Sequence, residues 1–348
     1  MRPLATLGLM VAMMAVLTGH VSAQAVVLLG PDSNAGSYST SQLSAIATAG
    51  DTVSYGGLTG ISLWGFLGGA NASSPTSPIY GDITTSTPAG DNGKNAIFRY
   101  YLLGTGTGGV QTAVSLGQID PNFGGTAANN PNGVPFIAFK NTGGSMLAAP
   151  ELVVPGGAGG TGSSALTNLS ALQLLSVPAA PTGPGGITTS FVLSGNVAQP
   201  GTYTLQSLEI NFTPIQETVS GDTYRGIPLF DFLDATSSAI NDQLVVALGS
   251  DGYEVAYSLS ELENLTDILP YADSNGTLPT GSSGLARTIL PGDSAHGRWE
   301  SNLVGLSVQA AGVPGPLAGA GLPGLVFASG AIGWLWRRSR KTPVVLAV

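Results

Sequence analysis

Few residues in this chain could do chemistry, and what is missing decides more than spacing does. There is no cysteine, and the only histidines are His20 and His296. Without thiolates there can be no Cys-ligated zinc, iron–sulfur or molybdenum site, and with His20 expected to leave in the cleaved N-terminal segment a multi-histidine site within one chain is excluded. His296, between Ala295 and Gly297, is the side chain suited to acid–base work near neutral pH. A Ser-His-Asp site would need Ser294 or a distant serine together with Asp293, and no G-x-S-x-G elbow is present. The simpler reading is a surface histidine. Arg225, Arg287 and Arg298 are the only cations of residues 187–310, and clustered they would hold an oxyanion. Ion pairing with nearby carboxylates is the competing reading. Gly104-Thr105-Gly106-Thr107-Gly108-Gly109 fits G-x-G-x-x-G, but a dinucleotide site needs a helix next, and residues 110–116 read as a strand. That segment, like Asp251-Gly252, reads as a tight turn between strands.

The elements that would position these residues are mostly strands. Phe191-Val192-Leu193 and residues 201–205, 244–248 and 253–257 are β-branched or aromatic runs bounded by Gly, Pro and Asp-Gly. One short helix is expected at 229–233, after Pro228. Another is expected from Ser258, where Ser258-Leu259-Ser260-Glu261 has capping-box spacing.

The pattern occurs twice. Gly36-Ser37-Tyr38-Ser39 returns as Gly201-Thr202-Tyr203-Thr204, and Thr52-Val53-Ser54 as Thr218-Val219-Ser220. Gly60-Ile61-Ser62-Leu63-Trp64-Gly65-Phe66-Leu67 returns as Gly226-Ile227-Pro228-Leu229-Phe230-Asp231-Phe232-Leu233. Ser115-Leu116 corresponds to Ser258-Leu259, Val154-Pro155-Gly156 to Leu290-Pro291-Gly292, and Asn168-Leu169 to Asn302-Leu303. Matches in one order imply a tandem duplication. The expected division is a first repeat at 24–177, a Pro/Gly linker at 178–186 and a second repeat at 187–310. Trp64 and Phe230, in equivalent slots, read as core anchors.

The two ends read differently. Arg2, an apolar run at 4–17 and Val21-Ser22-Ala23 predict a signal peptide over 1–23, cleaved between Ala23 and Gln24. Residues 313–336 carry no charge and are followed by Arg337, Arg338, Arg340 and Lys341, the pattern of a membrane span with its basic side in the cytoplasm. This end, 313–341, resembles a bacterial PEP-CTERM exosortase-sorting tail. Its short motif is Val313-Pro314-Gly315-Pro316, with Gly315 where the family has Glu. The resemblance implies a membrane anchor and an exosortase-type processing enzyme as partners, and it leaves open whether the tail is cut or retained.

Charge excludes some partners. Between the two ends, 20 acidic residues face only Lys94, Arg99, Lys140, Arg225, Arg287 and Arg298, so nucleic acid is not expected as a partner. With 9% charged residues and 51 glycines, the composition suits a β-protein displayed outside the cell.

The second repeat also resembles the oxidoreductase molybdopterin-binding domain of the sulfite oxidase type. The resemblance is carried by Tyr224-Arg225-Gly226-Ile227-Pro228-Leu229, by Gly249-Ser250-Asp251-Gly252-Tyr253, by Leu290-Pro291-Gly292-Asp293 and by Gly297-Arg298-Trp299. It implies an α+β, β-dominated fold of two tandem domains of that type. It also implies that Arg225, His296 and Arg298 are remnants of cofactor-binding positions. In the family a cysteine binds molybdenum, and this chain has none. The expectation is therefore an exported envelope or surface protein on a non-catalytic scaffold, without catalytic residues or a bound cofactor, that binds an unknown ligand or envelope partner. Two alternatives stay open: an extracytoplasmic molybdopterin-dependent oxidoreductase without a Cys ligand, and a structural matrix or adhesive component.

Overall fold

Tyr100–Thr105 and Gln243–Gly249 are apolar at consecutive rather than alternate positions, which a strand tolerates only when both faces are buried. In the computed structural model both strands are covered on both faces, and the architecture is arranged around them. The structure describes residues 25–29, 35–68, 96–120, 123, 134–155, 163–234, 240–263, 267–273, 276–277, 287–293 and 296–312.

The N-terminal half contains β1 (Ala25–Leu29), β2 (Gly36–Ser39), β3 (Thr52–Tyr55), β4 (Leu58–Ser62) and β5 (Tyr100–Thr105). It continues with β6 (Gln111–Ser115), β7 (Phe136–Asn141), β8 (Met146–Pro155), β9 (Ser163–Leu166) and β10 (Ala171–Ser176). The C-terminal half contains β11 (Ser190–Gly195), β12 (Gly201–Thr204), β13 (Ile215–Val219), β14 (Asp222–Pro228) and β15 (Gln243–Gly249). Then follow β16 (Glu254–Ser258), β17 (Ile268–Asp273), β18 (Gly276–Thr277) and β19 (Leu303–Ala310). These strands form four small sheets, ordered β2-β1-β10-β5-β6, β3-β4-β7-β8-β9, β12-β11-β19-β15-β16 and β13-β14-β17-β18.

Corresponding strands hold corresponding places. In each five-stranded sheet that contains a half's first strand, the one parallel pairing joins that strand to the half's last, β1 to β10 and β11 to β19. Strands β3 and β13 are both edge strands, and each is joined to its neighbour by a two-residue turn in the left-handed region, Gly56-Gly57 and Ser220-Gly221. The next strands share a bulge, at Thr59/Gly60 against β7 and at Arg225/Gly226 against β17. A Cβ on Gly60 would stand 2.1 Å from the Ile137 carbonyl oxygen, and one on Gly226 2.3 Å from that of Leu269. Asn168 and Asn302 both take positive φ, a conformation that asparagine tolerates better than most side chains.

Helices are few and short among the described residues: α1 (Thr40–Ile46), α2 (Leu63–Gly68), α3 (Leu116–Ile119), α4 (Leu205–Asn211) and α5 (Leu229–Leu233). Helices α1 and α4 open with reciprocal caps, Ser39 with Gln42 and Thr204 with Ser207. At Ser258 the expected capping-box bonds form, but they close a single 3-10 turn at Glu261–Glu263. Trp64 is buried, whereas Phe230 is half-buried and its neighbour Phe232 takes the core position.

Side chains alternate along the doubly covered strands. Leu102, Val114, Val245 and Val255 point into the main core, while Tyr101, Leu103, Ala113, Leu244, Val246 and Ala256 form a second cluster drawn from both halves. The main core is itself continuous, running from Val26 and Phe66 to Phe191 and Tyr257.

This corrects the expected fold class. The chain is not an α+β pair of tandem sulfite-oxidase-type domains, each enclosing its own core. It is a β-dominated body of four small sheets with short helices, because strands apolar on both faces stack the halves on one another. No helix among the described residues is long and apolar enough to cross a membrane, so the expected transmembrane tail and the membrane as a partner are withdrawn. The signal peptide, with Ala23 and Gln24, and the sorting tail with Val313, Pro314, Pro316, Arg337, Arg338, Arg340 and Lys341 lie outside the described residues and have no structural support.

The bulge glycines give a test. Gly226→Ala drives a methyl group into the β17 backbone and is expected to destabilise the fold by about 1–3 kcal/mol, read as a lower urea midpoint. Gly201→Ala, where a Cβ meets nothing within 4 Å, is the control and should shift stability by no more than about 0.5 kcal/mol.

Candidate functional site

Strand β15 ends at Gly249, and the chain turns through Ser250, Asp251 and Gly252 into β16. Gly252 has φ +89°, and the Tyr253 N–H donates to Asp251 Oδ1 at 3.0 Å, closing the turn on its own side chain. The linker is strapped along this turn. The Gly183 N–H donates to the Asp251 carbonyl and the Gly185 N–H to that of Ser250, each at 3.0 Å. Ser250 Oγ donates to the Gly186 carbonyl at 2.8 Å, and the Ala180 N–H to Glu254 Oε2 at 2.8 Å. Gly183 has to be glycine, since a Cβ there would lie 2.0 Å from the Ser250 oxygen.

The opposite wall is the segment leading into β19. The Ser250 N–H donates to the Asn302 carbonyl at 3.0 Å, and Tyr253 Oη donates to the Gly297 carbonyl at 2.7 Å. Between the walls lies a cavity of about 400 Å³, lined chiefly by Ser250, Asp251, Tyr253, His296, Trp299 and Glu300. Two of its lining side chains, Asp251 and Glu300, are carboxylates that come together beside Gly249. The place a Cβ would take on Gly249 is 2.2 Å from Glu300 Oε1 and 3.1 Å from Asp251 Oδ1. His296 lies exposed at the site, stacked on Trp299 with ring centres 3.8 Å apart, its Nε2 3.4 Å from Ser220 Oγ.

The expected cofactor positions do not converge here. His296 lines the cavity, but neither Arg225 nor Arg298 does. Arg225 is exposed on β14 with its guanidinium 5.7 Å from the centre of the Tyr271 ring. Arg287 lies over two rings, Tyr224 at 6.0 Å and Trp299 at 5.9 Å. Arg298 is turned inward and is only 1% exposed. It forms a two-pronged pair with Asp293, Nη2 to Oδ1 at 2.6 Å and Nε to Oδ2 at 3.0 Å, and donates from Nη1 to Glu261 Oε2 at 2.7 Å. Asp293 is therefore committed to Arg298 rather than to His296, and Ser294 lies outside the described residues. Gly104–Gly109 spans the end of β5 and the turn into β6, so a strand rather than a helix follows the glycines.

Around Arg298 the halves interlock. Ser115 Oγ donates to Glu261 Oε1 at 2.7 Å, and Ser258 Oγ donates to Gln118 Oε1 at 2.8 Å, so each capping serine reaches the polar side chain three residues past the other. The stem of Arg298 fills the space beside Gly117 in α3, where a Cβ would stand 2.2 Å from its Cδ. Its carbonyl accepts from the buried Tyr257 hydroxyl, which also meets Thr288 Oγ1 at 2.7 Å. Burial alone would lower the guanidinium's pKa, but the Asp293 and Glu261 carboxylates outweigh it and hold the group charged. Burial pushes Asp293 up to about 6 despite the opposing pull of Arg298. Asp267, also buried, is raised well above the ordinary carboxylate range by burial and then by Glu261 and Asp293.

No protein-family profile matches the chain, and no curated protein does. Among solved structures, the sulfane dehydrogenase SoxCD from Paracoccus pantotrophus is a weak neighbour. It shares 15% identity at a TM-score of 0.29, over 35% of this chain and 38% of that one. A likeness that slight carries no argument about chemistry. The cavity itself does not fit a molybdopterin: no Lys or Arg lines it to meet the cofactor's phosphate, two carboxylates do line it, and the chain has no cysteine for the metal.

Sequence reasoning singled out Asp251 and His296 as loop residues but missed Glu300, Asn302 and the linker glycines as parts of the same cavity. No local signal marked them, since they are brought to the turn by long-range bonds such as Ser250–Asn302, Gly185–Ser250 and Ser250–Gly186.

Two outcomes are expected from the buried network. Arg298→Met leaves two carboxylates buried and unpaired, which costs about 3–5 kcal/mol, measurable by denaturant unfolding. A carboxyl whose folded-state pKa exceeds its unfolded value takes up a proton on folding. Asp293 therefore destabilises the fold above about pH 6, and this cost is relieved progressively as the pH falls toward 3.8. The melting temperature should rise between about pH 7.5 and about pH 5, with a shallower slope in Asp293→Asn.

Proposed function

We propose that the protein is a non-catalytic, extracytoplasmic ligand-binding protein whose site is the cavity between the Ser250–Tyr253 turn, the linker and the 296–302 segment. The observation that supports this most is how the cavity is built. Hydrogen bonds tie Ser250 to two other stretches, the linker at Gly185 and Gly186 and the segment at Asn302, and the polar side chains Ser250, Asp251 and Glu300 share the space with the rings of Tyr253, His296 and Trp299. Its volume falls within the range of small-ligand sites, and polar groups converging beside aromatic rings are what orient a ligand in such sites. For catalysis, His296 would need a nucleophile beside it and a group to orient it. Its nearest polar partner is the exposed Ser220 hydroxyl, and its ring is stacked on Trp299. The extracytoplasmic location rests on composition, 51 glycines with only 9% charged residues.

The test combines three measurements. A small-molecule panel screened by thermal shift should yield a stabilising ligand, and Ser250→Trp, which fills the cavity, should abolish that shift without unfolding the protein. Protein isolated from its own cells should carry substoichiometric molybdenum and pterin. A content near one molybdenum per chain that is lost in Arg225→Ala would replace this reading with an oxidoreductase. Protease added to intact cells should reach the protein, and full protection would remove the extracytoplasmic part of the proposal.

A further inference from the structure

We infer that the ligand of this cavity is a small organic cation carrying at least one protonated amine. The inference depends on the reading of the cavity as a binding site and adds to it the chemistry of the occupant.

Charge is the first ground. The ionisable side chains lining the cavity are Asp251, Glu300, Tyr253 and His296, with no lysine or arginine among them. No described arginine of the C-terminal half lines it: Arg298 is held by Asp293 and Glu261, Arg225 lies over Tyr271, and Arg287 lies over Tyr224 and against the Trp299 ring without reaching the lining. A carboxylate or phosphate ligand would face two carboxylates with no lysine or arginine in the lining to offset them. A cation held in the cavity would instead face both, where like charges lining one space favour an opposite one.

Geometry is the second. Asp251 is fixed by its bond from the Tyr253 N–H, and Glu300 is 3% exposed, so neither carboxylate has to be ordered on binding. Tyr253, held through its hydroxyl to the Gly297 carbonyl, and the His296–Trp299 stack add aromatic surface, which attracts ammonium groups and accommodates a methylene chain. Ser250 and Asn302 supply further oxygens to accept from an ammonium, which has three N–H donors. At about 400 Å³ the cavity is near the lower end of the range for small-molecule sites, which favours a short-chain amine over a large ligand.

The experiment titrates the whole protein with three probes of one length, 1,5-diaminopentane, 1,5-pentanediol and glutarate, by calorimetry and Trp299 fluorescence. The expected result is that only the diamine binds and that its affinity falls as salt is raised. Asp251→Asn keeps the acceptor for the Tyr253 N–H and removes the charge. It should weaken diamine binding at least about tenfold, or about 1.4 kcal/mol, with the melting temperature unchanged. Binding of the diol or glutarate that Ser250→Trp abolishes would overturn the cation inference and leave the binding-site reading standing. Diamine binding that neither Asp251→Asn nor Ser250→Trp affects would show attachment to the acidic surface, and would also overturn it. Silence from all three probes, together with a thermal-shift panel that yields nothing, would overturn both.

Discussion

The fold depends on a charge buried where its two halves meet. Arg298 gives up its hydration to sit among Asp293, Glu261, Tyr257 and Gly117, and such a group is tolerated only when its hydrogen-bonding capacity is met by fixed partners. Each of those partners is therefore constrained in turn. Glu261 must hold Arg298 while accepting from Ser115 of the other half, and α3 must offer a glycine rather than a side chain. The same arginine sits in the segment whose neighbours, His296, Gly297, Trp299 and Glu300, line the cavity. Its anchoring inward is what turns those residues toward the candidate site.

Apolar packing supplies the remaining constraint. Strands β5 and β15 each serve two clusters through alternate side chains, so neither half could expose that face to water without uncovering residues such as Leu103 and Val246. The polar lock and the apolar seam act on the same elements, since β6 leads directly into α3 and β16 into the Glu261 turn. With one core running through both halves, loosening either interaction would be felt by the other.

The linker belongs to the site rather than standing apart from it. Its composition suggests a flexible spacer, yet its amides bond to the Ser250 and Asp251 carbonyls and its glycines let it approach within side-chain contact. Arg99 holds the beginning of the same stretch, donating to the Val177 carbonyl at 3.2 Å and lying 3.8 Å from Glu254. A loop strapped in this way can present a rigid wall, as a binding cavity on a sheet scaffold requires.

By itself the sequence determined what is local or repetitive. Asp251-Gly252 had to turn, Pro228 had to open a short helix, Ser258 and Glu261 had to cap one another, and the paired motifs had to give equivalent strands and bulges. Each of these follows from φ preferences or hydrogen bonds within a few residues. Only the tertiary structure decided how those parts combine. The consecutive apolar residues of β5 and β15 could equally have been covered by helices, and the sulfite-oxidase-like resemblance encouraged a picture of separate domains that the continuous core replaces. Arg225, His296 and Arg298 carry equal weight as letters in a sequence, yet one lies on a strand surface, one lines a cavity and one is sealed inside. For Arg298, burial depends on Gly117 of the other half, and its partner Glu261 is itself held by Ser115, both more than a hundred positions away from what they meet. No spacing rule along the chain encodes such meetings, because they arise only once the two halves have packed.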